Sequence, residues 1–184
     1  MAGLFVALLA YSQTAQAVQV TGSIGFSGTA TVDTSSMASA TEVATWINPV
    51  VSADSGSFSS VALGSAVNLA NPWHFNSGTV NNFWTVGGFT FTLLGSTILQ
   101  QGGTPGVNGY VVVDGTGTVS GNGYAATAMI WNFTSQDPIA GANPSSWTFG
   151  ARAASAATPD GGVTMILLGV ALSSVALFRR KFAF

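Results

Sequence analysis

The chain holds one histidine, His74, in the run Pro72-Trp73-His74-Phe75. A Ser-His-Asp hydrolase needs an imidazole base to take the proton of its nucleophile, so any such triad must be built on His74. No Gly-x-Ser-x-Gly elbow is present to offer the serine. Aromatic neighbours on both sides mark His74 as a packed or half-exposed strand residue. A single histidine cannot build a histidine metal site, and the absence of cysteine excludes thiolate zinc. Glycoside hydrolysis needs two facing carboxylates. Between residues 18 and 157 the acids are Asp33, Glu42, Asp54, Asp114 and Asp137, and the sequence does not pair them. Asp114-Gly115 reads as a tight turn, and Asp137 before Pro138 as another, which gives both acids a local structural role. No cofactor is expected. Calcium held by Asp33, Asp54 or Asp137 is the weak alternative, because no Asp-x-Asp-x-Asp-Gly loop is present.

The five tryptophans raise a different chemistry, the stacking of indole faces on sugar rings. Trp131 and Trp147 share strand faces with other large apolar residues and read as core. Trp73 and Trp84 flank Asn- and Ser-rich turns and are the candidate sugar-stacking pair, although core packing is the favoured reading for them too.

The elements that must position these residues are strands. Gly, Ser, Thr and Asn punctuate the chain every 8–12 residues or so, between runs rich in Val, Thr, Phe and Trp, as in an antiparallel sandwich or barrel. Phe89, Phe91 and Leu93 alternate with threonine, and Met129, Trp131 and Phe133 share one face of another strand. Trp147 and Phe149 repeat the pattern. Asp114-Gly115 and Asn122-Gly123 divide Tyr110–Val113, Thr116–Ser120 and Tyr124–Phe133 into an expected meander. Ser36–Trp46 reads as a short helix or a loop, and Val50–Val61 holds room for one strand. The fold class is therefore all-β, an antiparallel β-sandwich of jelly-roll type occupying residues 18–157.

Charged residues are only 5% of the chain. The body carries five acids against Arg152 alone, a net charge of −4. Without a basic patch there is no electrostatic footprint for nucleic acid. Its polar surface must come from Ser, Thr, Asn and Gln.

The two ends carry addresses rather than chemistry. Residues 3–10 are apolar and precede Ala15-Gln16-Ala17, a small-x-small cleavage pattern, so residues 1–17 read as a signal peptide cut after Ala17. Met1-Ala2 lacks the usual basic flank, which suggests a true start further upstream. At the other end Thr158-Pro159-Asp160-Gly161-Gly162 is followed by an uncharged run over 163–178 and then Arg179-Arg180-Lys181. About 16 residues make a helix of roughly 24 Å. That is slightly short of the ~30 Å hydrocarbon core, and snorkelling arginines extend its reach. The run reads as one C-terminal transmembrane helix, with the basic tail 179–184 on the cytoplasmic side.

The segment 158–181 resembles a PEP-CTERM sorting signal in its Val-Pro-Asp-x-Gly variant. Pro159, Asp160 and Gly161 match the motif, Gly162 is a common companion, and Thr158 stands where valine is usual. The resemblance implies recognition by an exosortase, a membrane protease of Gram-negative bacteria that cuts near the motif and releases or re-anchors the body at the surface. Phe26-Ser27-Gly28, Gly87-Gly88-Phe89-Thr90-Phe91 and Gly121-Asn122-Gly123-Tyr124 loosely resemble exported domains that precede such signals. The expected function is that of an exported, non-enzymatic structural or adhesive protein of the cell surface or matrix. The alternative is a module that recognises exopolysaccharide.

Overall fold

The computed structural model describes residues 17–137 and 145–154. Ala15, the sorting motif 158–162, the apolar run 163–178 and the basic triplet lie outside the described residues. Among the described residues no helix is long and apolar enough to cross a membrane.

The described residues form nine strands: β1 (Ser23–Val32), β2 (Glu42–Asp54), β3 (Asn68–Leu69), β4 (Trp73–His74), β5 (Val80–Val86), β6 (Phe89–Gly102), β7 (Tyr110–Gly121), β8 (Tyr124–Gln136) and β9 (Ser145–Ala153). A 3-10 turn, Gly56–Ser60, follows β2. Every strand pairing is antiparallel, and the order is β3-β5-β6-β7-β8-β9-β1-β2-β4. The all-β, antiparallel expectation therefore holds. The strands belong to one hydrogen-bonded sheet rather than two. That sheet curls on itself, since Phe26 of β1 meets Trp84 of β5, five places away in the order, with ring centroids 5.2 Å apart. The residues flanking β3 close the curl. Val67 N donates to Pro49 O of β2 at 2.9 Å, and three residues on Ala70 N donates to Phe83 O of β5 at 2.8 Å.

Alternation along the long strands builds the core. In β9 the side chains of Trp147, Phe149 and Ala151 are buried and those of Ser146, Thr148 and Arg152 are exposed. Phe89, Phe91 and Leu93 of β6 and Met129, Trp131 and Phe133 of β8 are buried, as their spacing predicts. The rings interlock: Phe26 stacks on Phe149 at 5.3 Å, and Trp73 meets Phe133 edge-on at 5.3 Å. Each such side chain removes about 150–250 Å² from water, which is where a chain so poor in ion pairs finds its stability.

One local expectation is corrected. Asp114-Gly115 is not a turn but the middle of β7, where Gly115 pairs with Trp131 of β8. A side chain at Gly115 would run into the Trp131 indole, and one at Gly117 into the Phe91 ring. These inward glycines make room for aromatic neighbours. Asn122-Gly123, by contrast, does form the β7–β8 turn, with φ of 49° and 79° as a tight hairpin requires. In the first half, the Ser36–Trp46 stretch divides into a loop and the start of β2. The Val50–Val61 stretch divides into the end of β2 and the 3-10 turn.

Candidate functional site

The candidate sugar-stacking pair is not available to a ligand. Trp73 is 1% exposed and Trp84 is fully buried. Trp84 stacks on Phe91 at 5.2 Å with the rings 8° apart, and Trp73 lies among Trp46, Phe75, Phe83, Trp131 and Phe133. The cause for Trp84 is a bulge. Between Val80 and Trp84 the register against β6 slips, with Asn82 at φ 52°, so the consecutive Phe83 and Trp84 both turn inward. Trp131 and Trp147 are buried, as their strand faces indicate. The indole N–H groups of Trp73, Trp84, Trp131 and Trp147 have no hydrogen-bond partner, whereas that of Trp46 donates to Ala70 O at 2.8 Å. Trp131 and Phe133 pack edge-to-face against Trp73, at centroid distances of 5.7 and 5.3 Å.

His74 sits on β4, at one end of the strand order, and its Nδ1 lies 3.1 Å from Glu42 Oε2. Its side chain is 65% exposed. The pairing gives it an acid, but no serine hydroxyl bonds to it among the described residues.

Two of the three acids named for calcium, Asp33 and Asp137, are engaged by the chain itself. Asp33 Oδ1 accepts from Thr41 N at 2.9 Å, and Oδ2 from the Thr41 hydroxyl at 2.6 Å, which ties the ends of the β1–β2 loop together. Asp137 is buried at the end of β8. Its Oδ2 accepts from Ser36 Oγ at 2.5 Å and Gly106 N at 2.9 Å, and its Oδ1 from Met37 N at 2.7 Å. Gly109 must be glycine here, because a Cβ would run into Asp137 Oδ2 and Ser36 Oγ. Burial works to raise the Asp137 carboxyl, and the hydrogen bonds from Ser36, Met37, Gly106 and Gly109 outweigh it and hold the group below its usual value. Asp33 is lowered in the same way, its burial being outweighed by the bonds from Thr41 and Glu42. Among the described residues no three His, Asp or Glu side chains converge as metal ligands.

An open groove of about 830 Å³ lies on the outer face of the sheet, its lining more apolar than polar. Its centre is one row of register partners across six strands, running Thr97, Asp114, Asn132, Gly150, Gly25 and Ala53. The neighbouring row supplies Thr116, Ile130, Arg152 and Ser23. Gly150 and Gly25 form a bare floor. Asn132 Nδ2 donates to Asp114 Oδ1 at 2.5 Å, which fixes the carboxylate and leaves its Oδ2 and the Asn132 carbonyl free to accept. Arg152 is exposed, is the one Lys or Arg among the described residues, and makes no ion pair there. Asp114 is the single carboxylate in the groove. No sequence motif pointed to this site, because its residues come from six strands between positions 23 and 152.

No protein-family model matches the chain, and neither a curated protein nor a solved structure is significantly similar to it.

Proposed function

We propose that the chain is an exported protein of the cell surface or extracellular matrix, processed at its C-terminal segment by an exosortase-like enzyme. The observation that carries this reading is the order of Pro159-Asp160-Gly161, an uncharged run over 163–178 and Arg179-Arg180-Lys181, with a signal-like segment at the opposite end. In this account the apolar run is a transmembrane helix that holds the unprocessed protein in the cytoplasmic membrane of a Gram-negative bacterium. The basic triplet stays inside, and the β-domain stands outside.

The β-domain itself is a non-enzymatic module with a structural or adhesive role. Supporting this, Asp33 and Asp137 are committed to loop closure, and Asp114 has no second carboxylate opposite it in the groove. A two-carboxylate hydrolytic mechanism needs that second group. The outer face instead presents hydroxyls and amides, as in the Thr134 and Thr148 pair at 2.7 Å. The second reading, a carbohydrate-binding module, loses its tryptophans but is favoured by the open groove.

The processing claim is tested by replacing Pro159 and Asp160 with alanine in the cells that make the protein. The expected product is an unprocessed, membrane-held chain. Equal processing of variant and parent would remove the motif from the account.

A further inference from the structure

We propose that the outer-face groove across β6, β7, β8, β9, β1 and β2 is a binding site for an uncharged, hydroxyl-rich polysaccharide. This deepens the surface-protein reading and rests on it only for the setting in which the ligand is met.

The floor gives the first reason. Gly25 and Gly150 are register partners facing outward. Gly150 does not occupy the left-handed region, and a Cβ built on it meets nothing within 4 Å. At Gly25 a Cβ would make an ordinary contact of 3.4 Å with Ala53. Neither backbone conformation nor packing within the chain asks for glycine at either position. A glycine inside a strand nevertheless weakens it by about 0.5–1 kcal/mol relative to alanine. Such a residue often marks a place where a ligand or another backbone comes close. This pair lets a flat ligand lie against the main chain.

The walls give the second. Asn132 and Arg152 stand on adjacent strands at diagonal positions, about 7–8 Å apart along the sheet surface. The guanidinium offers a planar fork of donors, while Asp114 Oδ2 and the Asn132 carbonyl offer acceptors. A sugar chain presents hydroxyls that both donate and accept, and this mixed set satisfies both.

Charge decides between kinds of polymer. The body carries net −4, and Asp114 lies within the groove itself. A polyanion would meet repulsion that one arginine does not offset, so an uncharged chain is the fitting occupant. The central row spans six strands, or roughly 24 Å at about 4.8 Å per spacing, which suits a polymer segment better than a single sugar. None of the five tryptophans is exposed, so recognition is by hydrogen bonds against bare backbone.

The test uses the full-length chain purified in mild detergent and native gels cast with soluble dextran, galactomannan, mixed-linkage β-glucan or alginate. Retardation by at least one of the three neutral polymers is expected, with none by alginate. Gly150→Leu, which fills the floor from an exposed and unobstructed position, should weaken that binding at least about tenfold, or about 1.4 kcal/mol. Its thermal unfolding should match the parent's. Arg152→Ala and Asn132→Ala should weaken it as well. Lack of retardation by every neutral polymer would overturn the proposal. So would unchanged binding by Gly150→Leu, a preference for alginate, or a groove blocked only by self-association of the chain. Binding by the purified chain does not depend on processing, so this inference and the sorting reading fail separately.

Discussion

Replacing Asp137 with alanine should cost the domain a large part of its stability, because one carboxylate holds three segments together. It joins Ser36 and Met37 of the β1–β2 loop and Gly106 of the β6–β7 loop to the end of β8. Hydrogen bonds to a charged group contribute about 1.5–3 kcal/mol each. Three of them give a gross loss of about 4.5–9 kcal/mol. Water can enter the truncated site at this edge of the domain and satisfy part of what is left, so the net cost is about 3 kcal/mol. With a urea slope of about 2 kcal/mol per molar, the unfolding midpoint should fall by about 1.5 M, read by tryptophan fluorescence. Asp137→Asn keeps an acceptor for Met37 N–H but sets an amide against one of the other donors, and should lose about half as much. The pH dependence has a definite sign. The folded carboxyl lies below its usual value near 3.8, so its contribution is complete above that value and is lost as the pH falls through the folded one. The parent should therefore lose stability below about pH 4 more steeply than Asp137→Asn does. Midpoints of parent and Asp137→Ala that agree within about 0.3 M would refute this account of the loops.

Two further outcomes follow from the core. Trp84→Ala removes a fully buried indole stacked on Phe91 and should destabilise the domain by about 3–5 kcal/mol, measured by urea unfolding; a variant as stable as the parent would return Trp84 to the surface. Gly117→Ala places a methyl group against the Phe91 ring and should cost about 1–3 kcal/mol, even though alanine is ordinarily no worse than glycine in a strand; a stabilised variant would contradict the packing described.

Period-two patterning made the long strands readable before the fold was known. Phe89-Thr90-Phe91 and Trp147-Thr148-Phe149 show their faces in their spelling, and Asn122-Gly123 shows its turn. Asp114-Gly115 has the same spelling as a turn but serves the opposite purpose, since Gly115 is small for the sake of Trp131, a residue of the next strand. Trp84 was ambiguous because a bulge breaks alternation there, and bulges depend on the partner strand. Trp73 is buried by a two-residue strand too short to show any period. The groove was illegible for a related reason. Thr97, Asp114, Asn132, Gly150 and Gly25 become neighbours only through register, which no single segment encodes. In retrospect the one local sign is Gly150, an outward position left empty between Thr148 and Arg152.

The central claim concerns the fate of the two ends, and the intact mass of the protein recovered from the surface or medium of its own cells tests it most directly. The account predicts a product lacking residues 1–17 and the segment after about Asp160. A mass that retains the apolar run 163–178 and the Arg179-Arg180-Lys181 cluster would contradict it, leaving a protein held in the membrane by its own tail.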